Sequence, residues 1–271
     1  MKSFILKANK IETNLNALTL EKGLLPLKKE KFGPVLTFGV LLILWQGLSQ
    51  FYSPLILPSP VATLATLVGI IREKDFFAAI MVTMQRLLFG LLWAVAAGSV
   101  LGIIMGNCRR LKSLLESFIY TIQAIPPILL MTLAMIWFGL DGRATIFIVF
   151  IACLPIMAVN IKEGFENIDR KLIEMGELFS FSKWEMLTEI ILPSLKAYFK
   201  SGLIVVMGLG WKLAVMGEVL GSGSGLGSQI ADARINLETN KVFAWGIVVI
   251  ALCYLSQQLI ASFFNKRGWQ S

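Results

Sequence analysis

The strongest constraint on the fold is a series of apolar segments that are long enough to cross a membrane. Of the 271 residues, 56% are hydrophobic. A helix needs roughly 20 apolar residues to cross about 30 Å of hydrocarbon. Six segments approach or exceed this length: Gly33–Tyr52, Phe77–Met105, Leu114–Leu140, Thr145–Ile161, Ala197–Leu220 and Val242–Phe264. We therefore predict an all-α polytopic membrane protein whose transmembrane domain covers residues 33–266.

The basic residues predict the orientation of these spans. If the N-terminus is cytoplasmic, 18 Lys and Arg residues fall on the cytoplasmic side and five on the other side. Cytoplasmic loops carry such an excess. We expect a cytoplasmic N-terminal arm (residues 1–32) with an interfacial helix around residues 11–25, and a cytoplasmic tail (267–271). The net charge of +8 is then explained by this bias and by contact with anionic membrane lipid. It does not indicate nucleic acid binding, because basic runs with interleaved aromatics are missing.

A polar stretch, residues 163–193, interrupts the apolar pattern between the fourth and fifth spans. It carries seven of the 17 acidic residues, and each charge at the bilayer centre costs about 2.5–3.5 kcal/mol. Apolar residues nevertheless recur every three or four positions, as on one face of a helix. These are Phe165, Ile168, Leu172, Met175 and Phe179. Ser182 and Glu185 have the spacing of a capping box, which predicts the start of a second helix. We predict a cytoplasmic amphipathic helix pair that is presented to a partner protein.

Residues for catalysis or metal binding are scarce. The chain has no His, the commonest metal ligand and general base. The run Gly221–Gly227 fits neither the dinucleotide fingerprint nor the nucleotide P-loop pattern. Cys108, Cys153 and Cys253 are isolated, which predicts packing residues rather than disulfides. We expect no catalytic residue, no metal site and no cofactor in this chain.

The spacing within the polar stretch resembles a known signature, which reads Glu-Ala-Ala, three residues, Gly, nine residues, Ile-x-Leu-Pro. Glu174-Met175-Gly176, then Ser180, then Ile190-Ile191-Leu192-Pro193 stand at the same offsets. The segment is similar to the permease subunits of binding-protein-dependent ABC importers. Further matches resemble the nitrate, sulfonate and taurine branch of that family. They are Leu57-Pro58-Ser59-Pro60, Ile125-Pro126-Pro127, Trp137-Phe138-Gly139, and Glu218 with Ser224-Gly225-Leu226-Gly227.

This resemblance implies a multi-pass permease of the bacterial inner (plasma) membrane that is not itself an enzyme. It implies a second permease subunit, identical or different, and two copies of an ATP-binding subunit that hold ATP and Mg. An extracytoplasmic solute-binding protein would deliver a small anionic solute resembling nitrate, a sulfonate or taurine. The alternative substrate is a vitamin precursor such as a thiamine-type pyrimidine. A self-contained secondary transporter or channel is the competing function.

The resemblance also implies which residues couple the permease to its ATPase. They are Asp169, Leu172, Glu174, Met175, Gly176, Ser180, Trp184, Leu192 and Pro193. Ser180 replaces the glycine of the signature, which in the family permits a left-handed turn. Serine adopts that conformation less readily, so either the turn differs here or Ser180 is mildly strained.

Four residues within the predicted spans are candidates for the solute pathway: Lys212, Glu218, Pro126 and Pro127. Ionisable groups in spans are costly and therefore functional candidates. Lys212 either faces the pathway and attracts an anion, or pairs with a carboxylate or carbonyl across a subunit interface. For Glu218 we favour a structural hydrogen-bonding role. Pro126 and Pro127 are expected to kink the third span.

Overall fold

The computed structural model describes residues 32–221 and 223–266, and every regular element in these residues is helical. The helices are α1 Phe32–Leu48, α2 Pro60–Ile71, α3 Phe76–Asn107, α4 Arg109–Ala124, α5 Pro127–Phe138, α6 Gly142–Glu166, α7 Arg170–Leu178, α8 Lys183–Glu185, α9 Leu192–Gly221, α10 Leu226–Ile235 and α11 Thr239–Lys266. A π-helical turn, Met186–Ile191, joins α8 to α9. The predicted interfacial helix and the tail lie outside the described residues. The all-α membrane fold predicted from the sequence is confirmed.

The chain divides after Leu48 into two units. The described part of the first unit is α1, an apolar helix of 17 residues. At 1.5 Å per residue it is about 26 Å long. The second unit holds the remaining helices and the core.

The six predicted spans are only partly matched by the described helices. Four helices are long and apolar enough to cross a membrane: α3, α6, the continuous helix Lys183–Gly221, and α11. The third predicted span is instead a bent pair, α4 and α5, whose axes meet at 92°. The first corresponds to the shorter α1. An additional apolar helix, α2, begins within the motif Leu57-Pro58-Ser59-Pro60, where Ser59 caps it by accepting a hydrogen bond from the Ala62 N–H.

A ridge of small residues brings α3 against α6. Gly90, Ala94, Gly98, Gly102 and Gly106 recur every fourth residue of α3. A Cβ at Gly98 would lie 2.7 Å from the Leu154 carbonyl oxygen, and one at Gly102 would lie 2.6 Å from that of Ala158. Small residues at this spacing let two backbones approach closely inside a membrane. The residue numbers of the contacting pairs increase together along both helices, so α3 and α6 run parallel.

Helix α9 packs against a neighbouring face of α6 in the antiparallel direction and also contacts α3, where Gly210 meets Leu87. Gly202 faces Met157 and Asn160, whereas Gly217, nearer the other end, faces Thr145. Between these two neighbours α6 has the largest buried share of the four long helices. The C-terminal ends of α3 and α6 therefore lie at the same end of this helix bundle as the N-terminal end of α9. The N-terminal end of α6 and the C-terminal end of α9 lie at the opposite end.

The break between α4 and α5 follows from two consecutive prolines. A residue before proline is pushed out of the helical region. Ile125 precedes Pro126 and has φ −76°, ψ 125°. Pro126 precedes Pro127 and has φ −57°, ψ 134°. Two successive extended residues end the helix, so the expected bend at Pro126 and Pro127 is present and takes the form of a break between two helices that meet at 92°.

Candidate functional site

The polar stretch contains one short separate helix, α7. Its second half, from Lys183 onward, is the beginning of the long helix that continues through α9. The residues up to Glu166 continue α6, and α7 begins after Asp169. The second predicted helix begins after Ser182, as expected, but it continues without interruption to Gly221. It is therefore the extension of the fifth predicted span and not a separate helix. The π-helical turn ends at Ile191, two residues before Pro193, which has no N–H to bond the carbonyl four residues earlier.

Ser180 occupies the left-handed region, with φ 55°. The Ser180 N–H donates to the Glu177 carbonyl at 3.0 Å, and the Phe181 N–H donates to the Gly176 carbonyl at 2.9 Å. This pair of bonds defines a Schellman motif at the end of α7, in which glycine is the usual left-handed residue. The serine thus keeps the turn of the glycine signature, at the cost of left-handed strain.

Caps at both helix starts hold this turn in place. The Asp169 carboxylate accepts a hydrogen bond from the Lys171 N–H at 2.9 Å. The predicted capping box is confirmed: the Glu185 N–H donates to Ser182 Oγ at 3.2 Å, and the Ser182 N–H donates to Glu185 Oε2 at 2.7 Å. These bonds satisfy backbone donors that helix ends leave free.

The coupling candidates divide between a buried and an exposed side of α7. Gly176 is buried, and a Cβ there would lie 2.9 Å from Ile190 Cδ1, so its small size lets α7 pack on the π-helical turn. Leu172 and Met175 are 40% and 42% exposed, and Glu174 is exposed. At the start of α9, Leu192 and Pro193 are also exposed.

Within the polar stretch, residues 163–193, the most exposed apolar residues flank the Ser180 turn. Leu178, Phe179 and Trp184 are 82%, 68% and 71% exposed. We call these three residues the apolar tip. Leu178 was not among the residues singled out from the sequence, because it lies one position off the predicted apolar face. The predicted apolar face ends at the Ser180 turn, and the backbone path through this turn determines which side chains point into solvent.

Glu218, a pathway candidate, lies at a buried polar cluster near the C-terminal end of α9. Its side chain is fully buried and its Oε1 lies 2.8 Å from Nη1 of Arg86, which is 13% exposed. Its Oε2 accepts hydrogen bonds from Thr83 Oγ1 at 2.7 Å and from the Gly227 N–H at 3.0 Å. Arg86 also donates to the Ser224 carbonyl at 2.7 Å. The cluster ties α3, α9 and the segment before α10 together.

Two glycines fit closely around this cluster. Gly225 has φ +101°, and a Cβ on it would overlap the Glu218 carboxylate. A Cβ on Gly142, at the start of α6, would overlap the Arg86 guanidinium. The geometry supports our interpretation of Glu218 as a structural hydrogen-bonding residue. Arg86 and Thr83 were missed, although the sequence shows Arg86 and Glu218 as oppositely charged residues within predicted spans, where such groups usually pair.

Pro127 and the break before it line a cavity of about 360 Å³. Gln123 and Ile125 come from the same broken span, Pro155 from α6 and Leu209 from α9. Lys212 is three residues after Leu209 and is not among the residues that line the cavity. Its side chain is exposed, and it forms no ion pair with the carboxylates of the described residues. The structure thus leaves Lys212 unpaired with Glu218 and one helical turn from a cavity residue.

Known proteins resemble this chain along most of its length. The model of the family described as "Binding-protein-dependent transport system inner membrane component" matches residues 98–267. The putative aliphatic sulfonates transport permease protein SsuC of Bacillus subtilis (strain 168) is 27% identical over 89% of this chain and 87% of its own length. The taurine transport system permease protein TauC of Escherichia coli (strain K12) is 29% identical over 84% and 85%.

A solved structure shows the same fold. A chain of a bacterial ABC transporter involved in the import of the acidic polysaccharide alginate superposes with a TM-score of 0.61. The match covers 97% of this chain and 98% of that one at 14% identity. The resemblance drawn from the signature is confirmed, and its sulfonate and taurine branch is represented among the relatives. The chain belongs to the family of inner membrane components of binding-protein-dependent transport systems.

Proposed function

We propose that this permease forms the pathway for a small sulfonate-like or taurine-like anion and is driven by two copies of a separate ATP-binding subunit. The relatives named for aliphatic sulfonates and for taurine both point to sulfonates. ATP and Mg would be bound in the partner subunits. A second permease subunit and an extracytoplasmic solute-binding protein complete the proposed assembly. Both termini would lie in the cytoplasm.

The main observation that supports coupling to an ATP-binding subunit is the exposed apolar tip. Leu178, Phe179 and Trp184 project from a segment that is too polar to enter the membrane. Exposed apolar patches mark interaction sites, and Trp is enriched among the residues that dominate binding energy. The caps and the Schellman motif hold the tip rigidly, as a lever requires.

The tip is also connected to the pathway without a break. Trp184 lies in the continuous helix Lys183–Gly221, which carries Leu209 at the cavity and Lys212 three residues later. Displacement of the tip by a partner would therefore move pathway residues directly. This continuity favours an ATP-driven permease over a self-contained channel.

Co-purification tests the docking of the ATPase. Trp184→Asp and Phe179→Asp, in a tagged permease co-expressed with its ATP-binding subunit, should lower the recovered ATPase at least about tenfold, since a hot-spot side chain contributes about 2 kcal/mol or more. Ile235→Asp is the control, because Ile235 is equally exposed, at 72%, but belongs to the opposite end of the bundle. Unchanged recovery with both tip variants would refute the docking role.

Uptake into vesicles separates the proposed function from its competitor. With the solute-binding protein and ATP present, taurine or an aliphatic sulfonate should accumulate, and accumulation should stop when ATP is omitted. A secondary transporter would instead respond to collapse of the ion gradients and not to ATP. Uptake without ATP would therefore overturn the proposal.

A further inference from the structure

Two ion pairs join α4 to the end of α6. Lys162 Nζ lies 2.8 Å from Glu116 Oε1, and Lys112 Nζ lies 2.5 Å from Glu166 Oε1. The partners are four residues apart on each helix, so both pairs lie along one contact between antiparallel helices. We call these four residues the charged seam.

The inner pair of the charged seam is shielded from solvent. The Lys162 side chain is 9% exposed and that of Glu116 is 25% exposed, against 36% and 38% for Lys112 and Glu166. Exposed ion pairs contribute little to stability, whereas removal of one member of a shielded pair leaves the other charge without compensation. Lys162 and Glu116 therefore hold the two helices together more strongly than the outer pair.

One side of the seam leads directly to the apolar tip. Glu166 is the last residue of α6, and three residues separate it from α7. That connection is firm, because Ile168 is buried and the Asn167 side chain donates to the Glu163 carbonyl at 2.8 Å. A displacement of α7 is therefore passed to the end of α6.

The other side of the seam leads to the cavity. Helix α4 ends at Ala124, directly before the extended pair Ile125 and Pro126. Gln123 and Ile125 line the cavity of about 360 Å³. A helix whose end is released by two prolines can change its angle at that break, if something moves its other end.

We propose that Lys162 and Glu116 are positioning residues that transmit movement of the ATPase-docked loop to the break at Ile125 and Pro126. The outer pair, Lys112 and Glu166, supports them. In this arrangement α4 and the end of α6 move as one body, and the bend between α4 and α5 opens or closes the cavity wall. The proposal rests on the proposed function, since the movement comes from the ATP-binding subunits.

A spin label at the cavity wall tests the proposal. The label is attached at Gln123→Cys after replacement of Cys108, Cys153 and Cys253, in the assembled transporter with its ATP-binding subunits. ATP should change the label's spectrum in this parent protein. Glu116→Gln and Lys162→Met should each reduce the response about tenfold, within the range of typical coupling between sites. The exchange variant Glu116→Lys with Lys162→Glu should restore it.

Controls separate transmission from simple stability. Glu238→Gln with Lys241→Met removes an ion pair of 2.9 Å at the start of α11, outside the seam, and should leave the response unchanged. Lys112→Met removes an exposed pair and should fold even if the buried variants do not, with a response lowered about two- to threefold. Full responses in all seam variants, or failure of the exchange variant to recover, would overturn the proposal. An absent ATP response in the parent protein would instead contradict the proposed function.

Discussion

At the scale of single residues, Ser180 and Ser182 make opposite contributions to the stability of the loop formed by residues 170–190. Ser180 is held at φ 55°, where a residue other than glycine bears a cost of about 1–2 kcal/mol. Ser180→Gly should therefore stabilise the loop, by less than this cost because glycine also gains entropy in the unfolded chain. Ser182→Ala should destabilise it by about 1 kcal/mol through loss of the cap. Amide hydrogen exchange of residues 170–190 measures both, and equal protection of Ser180→Gly and the parent would contradict the strain.

The same residues show what a sequence can reveal at this scale. The capping box could be predicted because it depends on two residues at a fixed local spacing. The burial of Gly176 and the projection of Leu178 could not, because they depend on how α7 packs against Ile190. Likewise, Arg86 and Thr83 reach Glu218 from a helix more than a hundred residues earlier. Such contacts follow from helix packing and leave no local pattern.

At the scale of elements, the ridge of small residues on α3 determines how closely α3 approaches α6. A Cβ at Gly102 would lie 2.6 Å from the Ala158 carbonyl oxygen. Because this obstacle is backbone, the helices must separate. Gly102→Ala should lower the free energy of unfolding by about 1–3 kcal/mol, as overpacking does.

Gly69→Ala is the matched control for this prediction. Gly69 lies within α2 and a Cβ there meets nothing within 4 Å. Alanine is preferred to glycine in a helix by about 0.5–1 kcal/mol, so this variant should be neutral or stabilising. Thermal unfolding of the purified protein in detergent compares the two. Equal stability of the two variants would show that α3 and α6 adapt to the added methyl group.

The long helices were predictable because their apolar runs are long and continuous. The third span was not, since its apolar run suggests one crossing whereas the consecutive prolines divide it into α4 and α5 at 92°. The fifth span extends to Lys183, far into the polar stretch. Hydropathy marks where a helix can enter lipid and does not mark where the helix ends, which depends on caps and prolines.

At the scale of the whole molecule, the two ends of the second unit have different tasks. One end gathers the charged seam and the apolar tip, and the other gathers the Arg86 and Glu218 cluster. The cavity beside the Pro127 break lies between them. The buried Glu218 cluster stiffens the end at which it lies, and the broken span provides the place where the molecule can bend.

Lys212 is the residue through which the proposed pathway between these ends could attract an anionic solute. It lies one helical turn from Leu209, which lines the cavity, and the carboxylates of the described residues leave it unpaired. A lysine and an anion 4 Å apart attract by about 4 kcal/mol at an effective dielectric constant of 20. This exceeds the roughly 1.4 kcal/mol that corresponds to a tenfold effect. Loss of the charge should therefore slow the passage of a sulfonate measurably.

We expect Lys212→Met to lower uptake of taurine or an aliphatic sulfonate at least about tenfold, whereas Lys212→Arg keeps the charge and should retain most of it. Recovery of the ATP-binding subunit should stay normal in both variants, because Lys212 is distant from the apolar tip. Lys241→Met is the control for loss of a lysine elsewhere, at a partly exposed ion pair near the start of α11. Equal uptake by the Met and Arg variants would exclude a role for this charge in solute passage. The lysine would then be assigned to a contact with the second permease subunit, the alternative that its exposure leaves open.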